Sequence, residues 1–239
     1  MIINKRITIL YWSIILFILL FNLSGISAQQ SKIRFDDVYG SDPSLFNGRL
    51  YIFFLSVNTI GNQYFSDPRF EKGSVTIRGV TYNDLDLNYD IYNQQLILQY
   101  KDNLGAAILI IISDAWLESF RFRDLNFEII TSQDSSKRIF QVLGKGPNRI
   151  FYHWGKELDL ESFQGSQNHM FSAAKKEMNV NTGNQIRRYR NNKTFYSLFE
   201  SDKRIAIKGY LRKNKIHVKK ATDLVMTGLI NYCKSLYPK

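Results

Sequence analysis

Apolar and polar positions alternate most regularly over residues 73–100, GSVTIRGVTYNDLDLNYDIYNQQLILQY. At the centre, Leu85-Asp86-Leu87-Asn88-Tyr89-Asp90-Ile91 puts a large apolar side chain at every second position, the period of a strand with one buried face. Val75 and Ile77 keep that period before it, and Leu96, Leu98 and Tyr100 after it. The period breaks at Arg78-Gly79 and Asn93-Gln94, so the spacing predicts three consecutive antiparallel strands, a meander.

Ahead of the meander, residues 29–47 are polar, include Asp42-Pro43, and read as an extended lead-in around Val38 and Tyr39. Residues 50–55, LYIFFL, are apolar on both faces and read as a buried strand, with a short helix as the alternative. Residues 62–72 are polar, contain Asp67-Pro68 and predict a loop. After the meander, Asp102-Asn103 and Gly105 mark a turn into the apolar run 106–112. That run is too short to span a bilayer and reads as a central strand covered on both sides. Further strands are expected over 119–123, 127–130, 138–143 and 149–154, the last two joined by the loop Gly144-Lys145-Gly146-Pro147. About eight or nine strands of ordinary length thus precede residue 156.

Residues 155–185 lose this rhythm. They are polar, contain Gly165 and Gly183, and read as a mobile insertion with a short helix near 172–178, a functional flap being the alternative. Arg187, Arg188, Tyr189 and Arg190, followed by Asn191-Asn192 and Thr194-Phe195-Tyr196, read as a last hairpin. Beyond it the period becomes helical. Ser197 and Glu200 have capping-box spacing, and Ile207, Tyr210 and Leu211 share one face of a helix ending near Asn214. Met226, Leu229, Ile230, Cys233 and Tyr237 share a face of a second helix running from about Thr222 to Leu236. The link between the two, residues 213–220, alternates as a short extended segment. The expected fold is mainly β (α+β): an antiparallel meander curved into a sandwich or incomplete barrel, with a C-terminal pair of helices packed on it. One domain is expected over 29–239, with the sheet in 29–196 and a basic helical tail in 197–239.

Composition adds a compartment and a polarity. Of 239 residues, 44% are hydrophobic and 14% aromatic, enough for a packed core. Lys5 and Arg6, the apolar run 7–23 and Ile26-Ser27-Ala28 ahead of Gln29 have the layout of a signal peptide over 1–28. A retained anchor is the alternative, since about 17 apolar residues is near the lower limit for crossing a bilayer. The expectation is export, to a periplasmic, outer-membrane-associated or secreted location. Cys233 is the single cysteine, so no disulfide forms within the chain and stability must come from core burial. The net charge of +11 is uneven: residues 29–136 hold 9 basic and 14 acidic side chains, a balance of −5, and residues 137–239 hold 21 and 7, a balance of +14.

Candidate chemistry is sparse. Asp86-x-Asn88-x-Asp90 has the opening spacing of a calcium loop, but Ile91 stands where glycine is needed and Ile97 where the bidentate glutamate belongs. Asp84, Asp86, Asn88 and Asp90 therefore read as a solvated strand face. His153, His169 and His217 are too far apart in sequence for a zinc motif. Lys145 reads as a turn lysine, His153 as a packed or rim residue, and Cys233 as a buried thiol on an apolar helix face. The sequence contains no nucleophile elbow, phosphate loop or dinucleotide fingerprint. No catalytic, cofactor-binding or metal-ligating residue and no cofactor is assigned. The candidate anion-binding surface is Arg187, Arg188, Arg190, Arg212, Lys213, Lys215, Lys219 and Lys220. A solvated edge that uses its charge against strand pairing is the plain alternative for the arginines.

The leader, the stretch GSVTIRGVTYNDLDLNYDIYNQQLIL and the end YSLFESDKRIAIKGYLRKNKIHVKKATDLVMTGLINYC resemble a family of exported proteins of Bacteroidota. The resemblance implies an envelope location and carries no activity or site residues with it. The expected role is a non-enzymatic cell-envelope module that binds a partner or stabilises an assembly. The alternative is a periplasmic carrier of lipid or another apolar ligand, since curved sheets enclose such ligands. The expected partner is an anionic lipid or glycan surface or an envelope protein; export argues against nucleic acid.

Overall fold

The computed structural model describes residues 43–46, 48–55, 58–102, 104–131, 136–163, 166–182 and 185–237. The expected leader over 1–28 and most of the lead-in lie outside them. A four-residue helix, α1 (Pro43–Phe46), and two short strands, β1 (Arg49–Leu50) and β2 (Thr59–Ile60), come before the meander of β3 (Glu71–Ile77), β4 (Val80–Asp90) and β5 (Gln95–Lys101). The first turn of that meander has Arg78 and Gly79 at φ of 49° and 78°, the left-handed pair that a two-residue hairpin requires. The second is held by Asp90, whose carboxylate accepts from the backbone N–H groups of Tyr92 and Asn93 at 2.9 and 2.8 Å.

Nine further strands and three helices follow among the described residues. The strands are β6 (Ala107–Ile111), β7 (Leu117–Phe122), β8 (Leu125–Thr131), β9 (Lys137–Leu143), β10 (Ile150–Gly155), β11 (Leu158–Phe163), β12 (Ser166–Phe171), β13 (Lys175–Thr182) and, at the edge, β14 (Gln185–Arg188). The main sheet has the order β1-β6-β5-β4-β3-β7-β8-β9-β10-β13-β14 and is antiparallel throughout. Strands β11, β12 and β2 form a small second sheet.

The large sheet curls without closing. Tyr89 on β4 and Phe127 on β8 are separated by β3 and β7, a span of about 14 Å in a flat sheet, yet their ring centroids lie 5.5 Å apart. The Gln94 side chain, just after β4, donates to the Trp154 carbonyl at the end of β10 at 2.8 Å. Phe120 stacks on Phe127 at 4.6 Å, and Phe65 fills the space between Phe127 and Trp154 at 6.0 and 5.1 Å. Aromatic rings therefore occupy the concave side. That side supplies one core, with Leu87, Tyr89, Leu98 and Phe122 fully buried.

A second core joins β9, β10 and β13 to α2 (Asn192–Tyr196), α3 (Ser201–Lys213) and α4 (Asp223–Ser235). Ile150, Tyr152 and Val180 meet Phe195, Ile207, Met226 and Leu229 there, all essentially inaccessible. Trp154 packs against both cores. Its indole N–H donates to Gln141 at 2.8 Å, and Gln141 donates to Asp223, the first residue of α4, at 2.5 Å. The two predicted tail helices thus lie where the apolar spacing puts them, with Ile207 and Leu211 buried on one and Met226, Leu229, Ile230 and Cys233 on the other.

Several expectations are corrected. Of the run 50–55 only Leu50 is in a strand; Phe53 turns toward Tyr92 and Phe171 at 5.9 and 6.5 Å while Ile52 and Phe54 are exposed. The run 106–112 is not central: β6 lies next to the edge, paired on its outer side with two-residue β1 alone. Residues 43–46 are helical rather than extended. The described residues of the stretch 155–185 hold no helix and are largely strands, with β13 paired to β10 over six residues. On β13, Glu177 and Asn179 belong to the face away from the helices, while Met178 and Val180 lie on the helix side together with Lys176, whose ammonium sits 4.2 Å over the Tyr152 ring. The expected last hairpin is a strand followed by a helix, because Asn191 caps α2 in a capping box with Thr194. Ser197 ends that helix, and Glu200 begins α3 with no side-chain cap. The polar face of β4 is solvated only in its first half: Asn88 and Asp90 are fully buried. The link 213–220 is a series of turns with Ile216 and Val218 buried. Asn192 grips it, donating to the Ile216 carbonyl at 2.6 Å and accepting from the Val218 N–H at 2.9 Å.

Candidate functional site

The eight candidate cations do not form one surface. Arg187 and Arg188 are adjacent on β14, so their side chains leave opposite faces of the sheet. Arg187 pairs with Val180, on the helix side, and Arg188 with Asn179, on the other. Arg188 reaches Glu177 at 3.4 Å, a carboxylate that Arg138 also approaches at 3.6 Å, so its charge is partly offset on the face away from the helices. Arg190 lies exposed beyond the strand, its N–H donating to the Thr194 hydroxyl at 2.8 Å. Arg212 and Lys213 close α3, where cations complement the partial negative charge of the helix end, and Lys215 follows in the turn.

Lys219 and Lys220 come together with Asn191, Asn192, Lys193 and His217 around a depression of about 500 Å³. The Asn192 clamp creates this neighbourhood by holding the α3–α4 turn against the start of α2. Lys193, Lys219 and Lys220 have no carboxylate within ion-pair distance among the described residues.

Arg187 belongs to a larger cleft of about 900 Å³. Its walls come from four parts of the chain: the β9–β10 loop with Pro147 and Asn148, the β13–β14 edge, the α2–α3 connection with Leu198, Phe199 and Glu200, and the end of α4 with Lys234 and Tyr237. Two glycines let α4 approach that loop. A Cβ at Gly144 would meet the Ile230 methyl at 2.9 Å, and one at Gly146 would lie 3.1 Å from the Lys234 ammonium; both glycines have positive φ. Arg204 is oriented by its Nε, which donates to the Phe199 carbonyl at 2.8 Å. Arg187, Arg204 and Lys234 form no ion pair among the described residues, and Glu200 is the one carboxylate lining the cleft. Burial raises the Tyr237 phenol, with Glu200 adding to the shift, so it remains a neutral donor.

The charge count of the sequence includes Lys193, Arg204 and Lys234, but nothing in their spacing marks them out as members of a site. Cys233 and His153 do not form a thiol–imidazole pair. Tyr152 faces the helix-side core that holds Cys233, so its neighbour His153 points to the other side of the sheet. There the His153 Nδ1 lies 2.9 Å from the Ile139 carbonyl. Burial pushes the Cys233 thiol up to about 12. Among the described residues no group of three His, Cys, Asp or Glu side chains is arranged to hold a metal ion, and no helix is long and apolar enough to cross a membrane. No protein-family model, curated protein or solved structure matches the chain.

Proposed function

We propose that the protein is an exported, non-enzymatic envelope module whose basic helical face binds an anionic lipid surface. The observation that carries this reading is the set Lys193, Lys219 and Lys220, held on one depression without a carboxylate partner. Such exposed cations attract an anionic surface over about one Debye length, roughly 10 Å at 0.1 M salt. The same helical layer exposes Ile205 and Leu224, at 81% and 83%, and this mixture of cations with solvent-facing apolar side chains suits a headgroup interface better than a glycan. A carrier with its cargo inside the curved sheet is less well supported, because Phe65, Tyr89, Phe120, Phe127 and Trp154 already fill that side. Sedimentation with anionic and neutral vesicles at low and high salt tests the proposal. Pelleting with anionic vesicles alone, lost as salt rises, is expected; equal, salt-independent recovery in the supernatant refutes it.

A further inference from the structure

We infer that the cleft between the β9–β10 loop, β14 and the end of α4 is a binding site for a single-chain amphiphile with an anionic head, such as a long-chain fatty acid. It is a separate site from the lysine depression and rests on different observations.

The volume, about 900 Å³, lies within the roughly 300–1,000 Å³ of small-molecule sites. An inorganic ion has no use for so much room. The lining has two chemistries. Pro147, Leu198 and Tyr237 offer apolar surface, on which a hydrocarbon chain is stabilised by leaving water. Arg187, Arg204 and Lys234 offer positive charge, offset only by Glu200. A wholly apolar ligand would leave those cations unused, and a small anion would leave the apolar wall bare. An amphiphile with one or two negative charges satisfies both.

The cations are also oriented before any ligand arrives. With its Nε committed to the Phe199 carbonyl, Arg204 has two terminal nitrogens that make no hydrogen bond among the described residues. That is the fork which pairs with a carboxylate or phosphate. The Lys234 ammonium is seated over Gly146, where the absence of a Cβ gives it room. Arg187 is steadied by two bonds to the Gln185 side chain, at 3.1 and 2.7 Å.

The test is fluorescence titration of the purified protein with dansyl-undecanoic acid, kept below its micelle concentration. Saturable, blue-shifted binding of one probe per chain, displaced by oleate, is expected. Methyl oleate, which has the chain without the charge, should displace it at least about tenfold less well. Comparing oleate with oleoyl lysophosphatidic acid identifies carboxylate or phosphate as the preferred head, and displacement by either supports the class. The double variant Arg204→Gln/Lys234→Gln should bind about tenfold more weakly or worse while keeping its circular dichroism spectrum. If that variant does not fold, Arg187→Gln on the exposed edge strand should weaken the probe by at least about threefold. Lys219→Gln/Lys220→Gln should leave probe affinity unchanged, which separates this site from vesicle binding. No saturable binding, displacement by methyl oleate equal to oleate, or wild-type affinity in the folded cleft variants would overturn the inference.

Discussion

Asp90 offers the sharpest test of how the meander is held. Period-two alternation places it on the same face as Asp86, but the two differ in surroundings. Asp86 is 42% exposed and pairs with Lys72 at 2.8 Å, an exposed pair of a kind that contributes about 0–1 kcal/mol. Asp90 is inaccessible and accepts four hydrogen bonds: from the Tyr51 hydroxyl at 2.9 Å, the Tyr92 and Asn93 backbone N–H groups at 2.9 and 2.8 Å, and the Asn93 amide at 2.8 Å. Bonds to a charged acceptor contribute about 1.5–3 kcal/mol each, but the sum is not the cost of Asp90→Ala. Tyr51 and Asn93 are only half-buried and can turn to water, and Tyr51 keeps its bond from Gln63. The two turn N–H groups cannot move so easily. The Asn93 N–H is stranded at about 1–3 kcal/mol and the Tyr92 N–H keeps only a longer bond, 3.3 Å, to the Gln63 carbonyl, which together give about 2–3 kcal/mol for Asp90→Ala. Asp90→Asn keeps an oxygen for both N–H groups but presents an amide to the Asn93 amide donor, and should cost about half as much. Asp86→Ala should cost under about 1 kcal/mol. Urea midpoints at constant m-value measure all three. An Asp90→Ala variant within about 1 kcal/mol of wild type, or an Asp90→Asn variant as unstable as the alanine, would refute the reasoning.

Gly144→Ala should cost about 2–4 kcal/mol, combining positive φ with the buried Ile230 methyl, whereas Gly79→Ala, with positive φ and open space, should cost about 1–2 kcal/mol; equal urea midpoints would show that α4 does not seat on the β9–β10 loop. Cys233 should resist a thiol-specific chromogenic reagent in native buffer and react fully in denaturant, since it is buried and its thiol is pushed up to about 12; rapid native labelling would contradict that placement. Burial lowers the His153 pKa, against a smaller opposing effect of its bond to Ile139. The unfolded ring takes up a proton near pH 6.5 and the folded ring only at lower pH, so this contribution is complete above about pH 6.5 and is lost as pH falls below it. The stability difference between pH 8 and pH 5.5 should therefore shrink in His153→Gln, and an unchanged difference would argue against a neutral buried ring.

What the sequence reveals depends on how many side chains of an element face a core. The meander is legible because Leu87, Tyr89, Leu96 and Leu98 all point to the concave side, giving an uninterrupted period of two. The tail helices are legible for the same reason, through Met226, Leu229, Ile230 and Cys233. Strand β13 is hidden because Met178 and Val180 are its only apolar residues, and Glu177 and Asn179 on its other face read as loop. Asn191-Asn192 fits a turn and a helix cap equally well, since both use the asparagine oxygen as an acceptor for nearby N–H groups. For the candidate site, Lys219 and Lys220 are readable as charge, but the ion pair of Arg188 with Glu177 comes from a neighbouring strand. The cleft is invisible in the sequence because Pro147, Arg187, Arg204 and Lys234 meet only through tertiary packing.

The central claim, that lysines on the helical layer hold the protein to an anionic lipid surface, is tested most directly by measuring vesicle affinity of the triple variant Lys193→Gln/Lys219→Gln/Lys220→Gln. Each cation near an anionic membrane contributes about fivefold in affinity at low salt. The account predicts that the folded variant loses on the order of a hundredfold in affinity and most of the salt dependence. A triple variant that partitions to anionic vesicles as wild type does, with the same salt dependence, would contradict it.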